Sequence, residues 1–116
     1  YPEGYVPEFD FERLKEIKEL MPHCKETQWN PQAVDIIPAT GGKQNGIHEV
    51  LKYYSIDQSE TMSFGDGKND IDMFDYTEIS VAMGNAGDDV KKAADYVTDD
   101  IDEDGLYNAL KHFEII

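Results

Sequence analysis

TMSFGDGKNDIDMF, residues 61–74, changes its period halfway through. Thr61 to Phe64 leans to β-structure, Gly65-Asp66-Gly67 is a turn, and Ile71 and Phe74 stand at the i, i+3 spacing of a helix face. A strand that passes through a glycine turn directly into a helix is the repeating unit of an open α/β sheet. The unit recurs downstream. Ile79 to Met83 reads as a strand, Gly84-Asn85-Ala86-Gly87 as a turn, and Asp88-Asp89 open a helix through Val90 and Ala93-Ala94, where the acids suit the positive end of the helix dipole. Tyr96-Val97 is a last short strand, and a helix from about Glu103 to Phe113 turns Leu106, Leu110 and Phe113 inward. Upstream, Ile47, Val50, Leu51 and Tyr54 line one face of a helix beginning at Lys43, with Tyr53-Tyr54 at the core edge. The order from Lys43 is therefore αβαβαβα, which implies parallel pairing and a ligand site at the carboxyl ends of the strands.

The region before Lys43 reads differently. Residues 1–9, with Pro2, Gly4 and Pro7, are loop-like, and a helical pattern through Phe11, Leu14, Ile17 and Leu20-Met21 stops at Pro22. Two β-leaning pieces flank Asn30-Pro31, and the second, Ala33 to Ile37, runs into Pro38 and Gly41-Gly42. That stretch reads as a crossing between domains.

At 116 residues, with 40% apolar residues, the chain suits one core rather than two full domains. The net charge of −15 repels nucleic acid and anionic membrane surfaces, so a phosphate handled here needs local positive charge from a lysine or a divalent cation. Cys24 is the sole cysteine, which excludes an intrachain disulfide and suits a reducing, cytoplasmic setting. No apolar run reaches the roughly 20 residues of a membrane helix.

Two motifs carry candidate chemistry. Gly65-Asp66-Gly67-Lys68-Asn69-Asp70 sets two carboxylates four residues apart where a strand meets a helix, and hard oxygen ligands of this kind suit Mg²⁺, with Asp66 the direct ligand. An acidic turn at a helix start would account for the same residues. Thr40-Gly41-Gly42-Lys43 pairs glycines, which let backbone amides approach an anion, with an ammonium at a helix start. Gln44 after the lysine rules out a P-loop, and a solvated loop lysine accounts for the same residues.

The ordered set Asp35-Ile36-Ile37, Lys43, Phe64 to Met73, Val81-Ala82-Met83-Gly84-Asn85-Ala86, Ala94-Asp95-Tyr96-Val97-Thr98 and Asp104-Gly105 resembles the Cof-type phosphatases of the haloacid dehalogenase superfamily. The resemblance spans about residues 33–116 and implies the C-terminal half of a Rossmann-like, three-layer α/β/α core with a mostly parallel sheet. Residues 1–32 resemble the end of that family's α+β cap. It further implies a magnesium-dependent phosphomonoesterase acting through an aspartyl-phosphate on small phosphorylated metabolites. Lys43 then matches the lysine that neutralises the phosphoryl group, Asp66 the acidic metal ligand, Asp70 the acid that supports the metal and its waters, and Asn69 a position on the phosphate side. Catalytic candidates are thus Lys43, Asp66 and Asp70, with Lys43 and Asn69 toward phosphate and Asp66 and Asp70 toward metal.

The family's nucleophile motif, Asp-x-Asp-Gly-Thr/Val, occurs nowhere in these residues, so the chain by itself is expected to be inactive. An alternative from a different class is a non-catalytic module that keeps a metal or phosphate pocket without chemistry. A sheet lacking its first strands would expose an edge, and self-association is expected. Asp100 to Gly105 imitates the opening of a calcium loop but has Lys111 where the bidentate glutamate belongs.

Overall fold

The structure is a computed structural model that describes residues 10–30 and 33–116; the loop expected over residues 1–9 lies outside the described residues. The chain forms two compact units, Tyr1–Gly41 and Gly42–Ile116. In the first, helix α1 (Phe11–Leu20) starts at Asp10, whose carboxylate accepts the Arg13 N–H at 3.0 Å and so satisfies one orphan donor of the first turn. Strands β1 (Cys24–Asn30) and β2 (Ala33–Pro38) pair antiparallel, with an irregular register between Thr27 and Asn30. A Lys18–Glu26 ion pair at 2.7 Å ties α1 to β1. Strand β2 pairs with β1, and the two compact units divide after Gly41.

The second unit holds α2 (Lys43–Tyr54), β3 (Met62–Gly65), α3 (Ile71–Phe74), β4 (Ile79–Ala82), α4 (Asp88–Ala93), β5 (Tyr96–Val97) and α5 (Gly105–His112). The strands form a parallel sheet in the order β3-β4-β5, with Met62 opposite Ile79 and Val81 opposite Tyr96. This is the mixed α/β architecture the alternating pattern implies. Strand β4 is central, and Ser80, Val81 and Ala82 are all buried, as a parallel strand covered on both faces requires. Phe74, Ala82, Ala86 and Val90 make the core, flanked by Ile71, Met73, Ala93 and Ala94. Among the described residues, no helix is long and apolar enough to cross a membrane.

Two helix faces differ from the sequence expectation. Helix α2 buries no residue fully, and Val50, Tyr53 and Tyr54 are 54%, 81% and 66% exposed, because nothing among the described residues of this unit covers that side. The tyrosines pack edge to face on each other instead, with ring centres 4.9 Å apart. In α5 the buried positions are Gly105 and Ala109, while Leu106 stays exposed. The helix starts too close to the Asp99 carbonyl for a side chain larger than glycine at position 105, so its innermost stripe is made of small residues.

Candidate functional site

Strand β3 delivers Gly65 to its carboxyl end, and the chain then turns through Asp66 and Gly67 into a short 3-10 turn, Lys68–Asp70, that leads into α3. The turn folds back so tightly that a Cβ on Gly65 would lie 2.5 Å from the Cβ of Asp70, which only glycine permits. Asp70 is consequently 4% exposed, and a buried carboxylate needs donors. It has three. Its Oδ2 accepts the backbone N–H groups of Asp66 and Gly67, each at 3.0 Å, and its Oδ1 accepts from the Lys43 ammonium.

Lys43 is the first residue of α2, and its side chain remains about half exposed while paired to Asp70. The structure therefore brings Lys43, Asp66 and Asp70 together within the second unit, through Asp70 as the common partner. Asn69 lies in the same turn, its side chain folded against Gly67. Gly41, expected to offer its amide to an anion, donates that N–H to the Pro38 carbonyl at 2.7 Å. Gly42 contributes conformation instead, with φ at 146°, a value side chains oppose.

The two acids differ in what they have left to give. Both Asp70 oxygens accept from nitrogen donors, and through Oδ2 the carboxylate holds the Asp66 loop. Asp66 is exposed, and among the described residues its Oδ2 accepts from a neutral donor, the Asn85 Nδ2–H at 3.2 Å. Among the described residues no group of three or more His, Cys, Asp or Glu gathers as a ready metal site. The exposed Asp66 carboxylate is the donor type Mg²⁺ takes, since that ion binds one or two carboxylates and keeps several waters. In the calcium-like stretch Asp100 caps the 3-10 turn Ile101–Glu103, its carboxylate accepting the Asp102 N–H at 3.2 Å.

Two features had no role in the sequence reading. Asn85 joins the Asp66 carboxylate to the Ile101 N–H, and Ser80 clamps Asp95. Asp95 Oδ2 accepts both the hydroxyl (2.6 Å) and the amide (2.9 Å) of Ser80, and these donors hold its carboxyl below the usual carboxylate value. A polar residue at a central strand position was the available signal for the Ser80 clamp.

A parallel sheet with a carboxylate turn at the carboxyl end of β3, paired to an ammonium, is the arrangement of an open α/β protein. The chain belongs to the haloacid dehalogenase-like hydrolase (HAD) family, whose model matches residues 7–110. It is similar to a HAD subclass IIB sugar phosphatase, BT4131, with a TM-score of 0.87 and 48% identity over 93% of this chain and 42% of that one. BT1666 from Bacteroides thetaiotaomicron, described among HAD phosphatases, gives 0.86 and 42% over 93% and 40%. A 5-amino-6-(5-phospho-D-ribitylamino)uracil phosphatase of Bacillus subtilis is 33% identical over 101 residues, 84% of this chain and 35% of that protein. The chain spans less than half the length of these phosphatases.

Proposed function

We propose that the protein is a magnesium-dependent phosphomonoesterase of small phosphorylated metabolites, in which these residues supply the charge-neutralising side of the site. The observation that carries this reading is the grip of one buried carboxylate, Asp70, on both the Lys43 ammonium and the Asp66 loop. In phosphoryl transfer most of the catalytic effect is positioning and charge neutralisation. Lys43 brings a point charge on a flexible stem, held in place by its ion pair with Asp70. Asn69, in the same turn, stands on the phosphate side. Asp66 offers a carboxylate that no cation among the described residues neutralises. Mg²⁺, when bound, would supply charge neutralisation at phosphate oxygen. The aspartate that accepts the phosphoryl group in the Cof-type pattern would come from outside these 116 residues. The sugar and ribitylaminouracil phosphatases among the relatives support the substrate class.

The test is release of phosphate from a panel of sugar and other small phosphomonoesters by the intact protein with and without Mg²⁺. Asp66→Asn and Lys43→Met should each lower kcat at least about 100-fold, the scale of losing a transition-state charge partner. Turnover that survives either substitution, or removal of divalent cation, overturns the reading.

A further inference from the structure

Asn85 sits in the turn after β4 and reaches two loops at once. Its Nδ2–H donates to Asp66 Oδ2 at 3.2 Å, and its Oδ1 accepts the Ile101 N–H at 3.3 Å. A carboxamide can turn over and exchange donor for acceptor. Here its two neighbours forbid the exchange, because a backbone N–H only donates and a carboxylate only accepts. The Ile101 N–H therefore decides which end of Asn85 faces Asp66.

Ile101 is itself well placed for that task. The Gly84 N–H donates to the Asp99 carbonyl at 2.9 Å, and the Asp100 carbonyl accepts from Glu103 at 3.0 Å and Gly105 at 3.1 Å. A Cβ on Gly84 would lie 2.5 Å from the Asp100 nitrogen, so the loop after β5 presses directly on the turn that carries Asn85. The chemical choice also matters. A lysine at position 85 would hold Asp66 equally well but cancel its charge, whereas an amide fixes one oxygen and leaves the charge available for a cation.

We infer that Asn85 is a positioning residue for the Asp66 carboxylate, oriented by the backbone of the loop at Ile101; this rests on the proposed role of Asp66 at Mg²⁺. The loop after β5 thereby helps to set the cation site without contributing a ligand to it.

The experiment is calorimetric titration of the intact protein with Mg²⁺ alone, with thermal melts to establish that each variant is folded. Asn85→Ala should weaken Mg²⁺ affinity about 10-fold, the low end for loss of a group that orients a metal ligand. Ile101→Pro removes the N–H but leaves Asn85 in place. Proline is accepted at the first position of a helical turn, and Asp100 before it has the extended conformation proline requires (φ −61°, ψ 157°). It should weaken affinity in the same sense by a smaller factor, and it carries the test should Asn85→Ala fail to fold. Wild-type affinity in a folded Asn85→Ala or Ile101→Pro variant overturns the inference. Loss of binding in Asp66→Asn alongside that result leaves the Mg²⁺ reading standing, whereas undiminished binding in Asp66→Asn removes the reading beneath both.

Discussion

At Asp70 a single carboxylate is answered by three donors, which is why it can be buried at all. Asp70→Asn keeps the shape but removes the charge that its three donors meet, and we expect a loss of about 1–3 kcal/mol, the scale of hydrogen bonds to a buried charged group. Urea denaturation measures it, and stability equal to wild type would mean that the ion pair contributes nothing. The residue types and their i, i+4 spacing were legible in the sequence, and so was Lys43 as a companion charge. What the sequence could not show was which backbone amides the Asp70 oxygens meet, and those amides are brought into place by the missing side chain of Gly65.

Strands and helices of the second unit follow the sequence closely, since strict alternation of strand, glycine turn and helix leaves few other arrangements. Their faces were less legible. Periodicity shows that α2 and α5 have apolar stripes, but burial depends on what lies opposite, and in α5 close backbone approach favours Ala109 over Leu106. The same closeness governs the turn after β4. Gly84→Ala would drive a methyl group into the backbone at Asp100, and we expect destabilisation of about 1–3 kcal/mol, read as a lowered Tm. The Ser80–Asp95 clamp joins β4 to the start of β5 and makes stability depend on pH. Its donors lower the Asp95 carboxyl value in the folded state, so the folded state binds that proton more weakly than the unfolded chain. The contribution is present above the unfolded value of about 4 and disappears as pH falls through the lower folded value. Urea midpoints from pH 7 to pH 2 should therefore fall less steeply for Asp95→Asn than for wild type; parallel curves would show that the clamp is not coupled to folding.

For the molecule as a whole, the net charge of −15 opposes association, while the β3 edge and the uncovered side of α2 favour it. We expect the 116-residue chain to self-associate more strongly as salt screens that charge, since the Debye length shrinks from about 10 Å at 0.1 M to about 3 Å at 1 M. Light scattering across that range tests it, and a monodisperse monomer throughout would refute it. The central position of β4 has its own consequence. Its Val81 and Ala82 lie between two partner strands, whereas β5 offers only two residues of pairing and can peel away first. In deuterated buffer the amide protons of β4 should be the last of the sheet to exchange, so the strand that carries none of the proposed chemistry would report the global opening of the unit that does.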